Sequence, residues 1–204
     1  MIIAGFAGIG KSHLASREPD KYEDFIARPY RYLLDEDGMA DESQEARKAD
    51  LSLGTHPCWP CNYLNALTHR NGNPGNLLIP SDHQVLNDLA IEGVPFALVY
   101  PDKMAKEEYR HRFVERGNSE DFIGIFIGRW ESFMKQLKMA PCRYRIILGP
   151  GQYLSDVVGQ LEEWSSAVVQ SSKRNCIQLH KYKERAWERS ISGWWGIRRA
   201  RAGL

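Results

Sequence analysis

The stretch "MIIAGFAGIGKSHLA", residues 1–15, decides the fold. Its residues 5–12 read Gly-Phe-Ala-Gly-Ile-Gly-Lys-Ser and match G-x-x-x-x-G-K-[ST] without a mismatch. The pattern has a physical job. Successive backbone N–H groups wrap a phosphate chain, and glycines let the backbone turn and approach. A lysine at position 11 reaches the β- and γ-phosphates, and a hydroxyl at position 12 ligates Mg²⁺. The motif has meaning only between a strand and a helix. Residues 1–4 form a short apolar run that suits a buried strand, and residues 11–17 read as a first helix whose N-terminus favours anions.

The chain has 204 residues, enough for one α/β domain with a sizeable core, or for one domain and an appendage. With 43% hydrophobic and 26% charged residues, it has the composition of a globular protein and not of a disordered one. No apolar stretch approaches the ~18 residues of a membrane span. The apolar run at the start breaks at once into glycines and a lysine, unlike a signal peptide. Four cysteines in a chain of this length do not make a disulfide framework. The expectation is a cytoplasmic protein with no membrane partner. The net charge of +1 hides an asymmetry: residues 173–204 carry nine Lys/Arg and two acids, a local balance of +7, so the remainder carries −6. A basic tail of this kind binds a polyanion or a protein, or is a solvated helix.

Further strands are expected at "RYLLD" (residues 31–35), "NLLIPSD" (76–82), "GVPFALVYP" (93–101) and "RYRIILG" (143–149). Each is a short apolar run bounded by Gly, Pro or Asp, as buried parallel strands are. Helical patterns alternate with them. Ser81 or Asp82 caps the first, Asp102 or Lys103 starts a second that runs to Arg116 and stops at Gly117-Asn118, and Ser119 caps "EDFIGIFIGRWESFMKQLKM". A last helix follows the fifth strand. Alternating βα units predict a doubly wound five-stranded parallel sheet flanked by helices, with ligands at the carboxyl ends of its strands. The domain spans residues 1–172, with a helical lid at about 102–118 and a basic, Trp-rich extension at 173–204.

Several residues around the loop have the right chemistry. Asp35 and Asp37 in "LLDED" follow the expected second strand, where a carboxylate orients an acceptor hydroxyl, takes its proton or holds Mg²⁺ through water; the alternative is a solvated turn that caps the next segment. Asp82 is the nearest acid to the end of the third strand and also suits a helix N-cap. Arg112 and Arg116, four apart, share one helix face with Tyr109, whereas Arg110 points elsewhere. Such a pair can fold over a triphosphate, or pair with Glu107, Glu108 and Glu115 on a charged surface. The turn "LGPGQYLSD" (148–156), with Gly149 and Gly151, can offer backbone groups to a nucleobase or merely connect strand to helix. "HPCWPC" (56–61) has C-x-x-C spacing without a second pair, so a loop packed by Trp59 and stiffened by Pro57 and Pro60 is expected rather than zinc or redox chemistry. In the tail, Trp187, Trp194 and Trp195 alternate with arginines, as in a nucleic-acid surface or a docked helix.

The motifs "GFAGIGKS", "LLDED", "VYPDKMAKEEYRHRFVERGN" and "LGPGQYLSD", in that order, resemble the P-loop nucleoside and nucleotide kinase superfamily, the adenylate- and shikimate-kinase-like group. Within it, the chain looks like small kinase-like proteins of bacteria and their phages. The resemblance covers roughly residues 1–165. It implies a P-loop NTPase fold and an ATP-dependent kinase acting on a nucleoside, nucleotide or similar small acceptor. Gly5, Gly8, Ile9, Gly10, Lys11, Ser12 and His13 would hold ATP, with Gly149 and Gly151 at its base and Ser12 and Asp82 on Mg²⁺. Lys11, Asp35, Asp37, Arg112 and Arg116 would be catalytic. Two departures stand out: Pro80-Ser81-Asp82 replaces the usual Walker-B strand end, and the tail has no counterpart. They leave open a kinase of nucleic acid, at a polynucleotide end or a hydroxymethylated base of phage DNA, and a non-catalytic ATP-binding module.

Overall fold

The computed structural model describes residues 1–32, 55–70 and 75–172. Five strands form one parallel sheet: β1 (Ile2–Gly5), β2 (Tyr22–Asp24), β3 (Asn76–Pro80), β4 (Phe96–Pro101) and β5 (Tyr144–Leu148). They lie in the order β2-β3-β1-β4-β5, and every neighbouring pair is parallel. Helices α1 (Lys11–Arg17), α2 (Arg28–Arg31), α3 (Cys61–His69), α4 (His83–Ile91), α5 (Lys106–Glu115), α6 (Glu120–Gly128), α7 (Trp130–Met139) and α8 (Val158–Ser172) flank it. The β1–β2 connection runs one way along the sheet and the later ones run the other. Right-handed crossovers then place α1 and α4 on opposite faces. No helix among the described residues is long and apolar enough to cross a membrane.

The sheet centre is apolar because its strands are covered on both sides. Ile3, Ala4, Leu78, Ile79, Ala97, Leu98 and Val99 are fully buried. Beyond the strand ends an aromatic cluster joins the first loop to α5, α6 and α7: the Phe6 ring lies 5.6 Å from Trp130, 5.6 Å from Phe126 and 6.0 Å from Tyr109. Trp130 is completely enclosed, and its indole N–H donates to the Lys103 carbonyl at 2.8 Å. Burial and a satisfied N–H together make it an anchor for the whole α5–α7 unit.

Two expectations need correction. The second strand is not residues 31–35. Arg31 closes α2, Tyr32 makes an isolated antiparallel bridge to Thr55, and residues 33–35 lie outside the described residues. The strand is Tyr22–Asp24, three residues on the edge of the sheet with only Tyr22 buried. So short and polar a strand has no periodicity to read; its pairing with β3 makes it one. The second correction concerns "EDFIGIFIGRWESFMKQLKM", which forms two helices instead of one. The chain leaves helical geometry at Arg129 (φ −101°, ψ 17°), just after Gly128, and so turns Trp130 into the core.

Other expectations hold. Ser119 caps α6, accepting from the Phe122 N–H at 3.3 Å, and Asp82 caps α4. Asp102 caps the 3-10 turn Lys103–Ala105 that leads into α5. Gly117 (φ 74°) stops α5, with its N–H on the Val114 carbonyl at 2.9 Å and that of Asn118 on Phe113 at 3.0 Å. This is the pattern of a Schellman cap.

Candidate functional site

The loop between β1 and α1 sits where the connections from two neighbouring strands part. β1 leads toward the β2 edge, whereas β4 leads toward β5. A crevice opens at the carboxyl end of a parallel sheet at such a point. Gly8 and Gly10 hold the loop's shape, with φ of 80° and 97°. These left-handed values favour glycine, which has no Cβ to clash. Close approach adds a second reason at Gly8, where a Cβ would lie 2.8 Å from Phe113 Cε1 of α5. Ile9 is fully buried beneath the loop, and its carbonyl accepts the Leu154 N–H at 2.8 Å.

Lys11 and Ser12, at the start of α1, point in different directions. The Lys11 ammonium donates to the carbonyls of Gly5 at 2.7 Å and Phe6 at 3.0 Å. Burial pulls its pKa down to about 8; Asp24 opposes the shift and the charge of Arg116 adds to it. The Ser12 hydroxyl donates to Asp24 Oδ2. Asp24 ends β2, so it is the β2–β3 pairing that carries this carboxylate to the loop. The sequence gives Asp24 little prominence: "YED" holds an acidic pair a short turn after α1, but three polar residues do not announce a strand. His13 is exposed on the first turn of α1.

The expected acids behave differently. Asp35 and Asp37 lie outside the described residues. Asp82 takes the Gln84 N–H at 3.0 Å and the Val85 N–H at 3.4 Å on Oδ1, and Arg31 Nη1 on Oδ2. Both oxygens are thus engaged in capping α4 and pairing Arg31, and Ser12 is met by Asp24 instead. Among the described residues no group of three or more His, Cys, Asp or Glu side chains is placed to hold a metal. A magnesium ion does not need one. It takes one or two protein oxygens, with phosphate and water completing its shell, and the Ser12 hydroxyl with the Asp24 carboxylate fits that demand.

The two arginines on the shared face of α5 divide. Arg112 is buried, and its guanidinium is a structural hub. It pairs with Glu108 and donates to the Gln152 carbonyl at 2.9 Å, the Gly8 carbonyl at 3.3 Å and the Tyr109 hydroxyl at 3.3 Å. Its faces lie against the rings of Tyr153 (3.8 Å) and Tyr109 (4.6 Å). Arg116, the C-cap of α5, is exposed, yet close enough for its charge to depress Lys11. Arg110 turns away and pairs with Glu107 at 3.1 Å.

The turn after β5 closes on itself. The Gly149 N–H donates to Gln152 Oε1 at 2.7 Å, and the Gly151 N–H donates to the Glu108 carboxylate at 3.1 Å. Both donors expected to face a nucleobase are therefore used in joining this turn to α5. The C-x-x-C segment is a packed loop: Cys58 and Cys61 are unbridged thiols, and Trp59 between them is buried with its ring 5.6 Å from Tyr63. The tail beyond residue 172 lies outside the described residues. No family model matches the chain, and no curated protein matches it.

Proposed function

We propose that this chain is a P-loop kinase that transfers the γ-phosphoryl group of ATP to a hydroxyl of a nucleoside, nucleotide or similar small acceptor. One observation carries the reading: the glycine-rich loop holds Lys11, Ser12 and Asp24 together at the switch point of a parallel sheet. The G-x-x-x-x-G-K-S spacing supports it from the sequence side.

Each residue has a defined task. Backbone N–H groups of the loop bind the phosphate chain, and the Lys11 ammonium exchanges its two carbonyl partners for phosphate oxygens. Ser12 and Asp24 would hold Mg²⁺, which would supply neutralisation of phosphate charge. The acceptor oxygen forms a bond to phosphorus while the bridging bond to ADP breaks. The acceptor's proton passes to a carboxylate, the role proposed for Asp35 or Asp37, while Asp24 stays with the metal. Arg116, exposed at the end of α5, reaches the transferring group. Arg112 holds the loop and α5 in register.

Calorimetry with Mg·ATP and a radiolabel-transfer screen over nucleosides, nucleotides and oligonucleotides test the proposal together. Wild-type protein should bind Mg·ATP, and Asp35→Asn or Asp37→Asn should lower kcat by ~10²–10⁴-fold if that residue is the general base. Absence of Mg-dependent ATP binding would overturn it. Tight binding with no transfer to any acceptor would point instead to a non-catalytic ATP module. The tail's local charge of +7 and three tryptophans favour a second reading, in which the acceptor is nucleic acid.

A further inference from the structure

The turn between β5 and α8 has its main-chain donors fully committed. The Gly149 N–H donates to Gln152 Oε1 at 2.7 Å, and the Gln152 N–H returns to the Gly149 carbonyl at 3.2 Å. The Gly151 N–H goes to the Glu108 carboxylate, and that of Tyr153 goes to Asp156 Oδ2 at 2.7 Å. The Leu154 N–H meets the Ile9 carbonyl at 2.8 Å. Pro150 has no N–H to give. From residue 149 to residue 154, every main-chain donor therefore has an acceptor inside the protein. The edge of a nucleobase carries acceptors that only donors can satisfy, and this turn has no main-chain N–H left for them.

What the turn does present is a ring. Tyr153 is 43% exposed, although it lies directly against the glycine-rich loop. A Cβ at Gly10 would lie 3.4 Å from Tyr153 Cδ1, 3.8 Å from its Cβ and 4.0 Å from its Cγ. Cγ is bonded to the other two, so a point nearer to both of them lies off the ring's edge and not over its face. The near edge of the ring thus rests on Gly10, and the hydroxyl end projects away from the loop. One face is taken, since the Arg112 guanidinium lies 3.8 Å from the ring centroid. Arg112 is itself fixed by Glu108 and by the carbonyls of Gly8 and Gln152, so it holds the ring in one orientation. The opposite face is the part left in water.

A flat aromatic face that starts at a phosphate cradle and runs outward from it suits the base of a nucleotide held there, because stacking needs a π-face and no hydrogen-bond match. We propose that Tyr153 is the stacking platform for the base of the nucleoside triphosphate donor. The site takes that base by its face and leaves its edge unread by the turn, so adenine and guanine serve alike. This mode of recognition rests on the proposed function, because it needs a triphosphate in the loop. It replaces the role expected of Gly149 and Gly151.

Calorimetry on the full chain with Mg²⁺ and ATP, GTP or inorganic tripolyphosphate tests it. ATP and GTP should bind within a few-fold of each other, and both roughly tenfold or more tighter than tripolyphosphate, which has no base to stack. Tyr153→Ala should weaken ATP and GTP about tenfold to a hundredfold and spare tripolyphosphate, whose binding also shows that the variant is folded. Tyr153→Phe keeps the ring and should recover nearly all of that loss. Tyr153→Leu keeps an apolar cover on Arg112 without an aromatic face and should not. Equal ATP affinity in wild type and Tyr153→Ala would overturn the proposal. So would an equal loss for tripolyphosphate, which would make Tyr153 a support of the loop. A preference for ATP over GTP of about a hundredfold or more would show an edge being read and would overturn it too. A chain that binds tripolyphosphate as tightly as ATP overturns the stacking alone, whereas one that binds neither overturns the proposed function with it.

Discussion

Lys11 carries its ammonium inside the loop, held by two carbonyls and a nearby carboxylate. Burial lowers its pKa to about 8 from the ordinary 10.5. A phosphate chain needs the charged form, so ATP affinity should fall as pH rises through about 8. Stability should move the other way. Between the folded and unfolded values the unfolded chain binds the extra proton, so this residue's contribution to stability rises with pH across that window. Denaturant midpoints at several pH values from 7.5 upward, compared between wild type and Lys11→Met, measure the effect; the variant should lack this rise. Asp24 raises the Lys11 pKa. In Asp24→Asn the loss of ATP affinity should therefore set in at lower pH. If the two proteins lose affinity at the same pH, Lys11 is not the group that titrates.

At the scale of the element, α5 serves two partners with one face. Tyr109, Arg112 and Phe113 press on the glycine-rich loop and on the turn after β5. The helix phase is legible in the sequence, where Arg112 and Arg116 lie four apart and Arg110 lies off the face. What the phase does not show is that Arg112 is enclosed between two tyrosine rings while Arg116 reaches solvent. The consequence is a split phenotype. Arg112→Ala should destabilise the protein by about 2–4 kcal/mol, because it strands Glu108 and three hydrogen-bond acceptors. Arg116→Ala should leave the melting temperature nearly unchanged and lower kcat more than ATP affinity. Thermal melts and steady-state kinetics on the two variants separate these outcomes, and equal loss of stability in both would undo the division.

For the whole molecule, the basic extension and the acidic remainder pull in opposite directions, +7 against −6. If the tail holds a nucleic-acid acceptor, affinity should fall steeply with salt as counterions are released. Replacing Arg198, Arg199 and Arg201 with Ala should then flatten the log–log salt dependence by roughly one unit for each phosphate the tail no longer neutralises. Fluorescence anisotropy on a labelled oligonucleotide reads the slope directly. An unchanged slope removes the tail from nucleic-acid recognition and leaves the small-molecule acceptor as the proposed substrate.

Local physics makes much of this protein readable from its residues alone. The glycine spacing of residues 5–12, the caps at Asp82, Ser119 and Gly117, and the apolar runs of β1, β3, β4 and β5 are short-range signals, complete within a few residues. They are enough for a parallel α/β sheet with four of its five strands in place, and for Lys11 and Ser12. Tertiary structure decided the rest. Tyr22–Asp24 is a strand only because β3 lies beside it, and only that pairing brings Asp24 to the Ser12 hydroxyl. Asp82 suits a metal or a helix cap equally well until Arg31 arrives from α2 to take its second oxygen. Arg112 becomes a hub because the β5 turn folds onto α5, forty residues earlier in the chain. Hydrogen bonds and ion pairs between distant segments leave no periodic trace in the chain, since each partner is chosen by where the sheet delivers it.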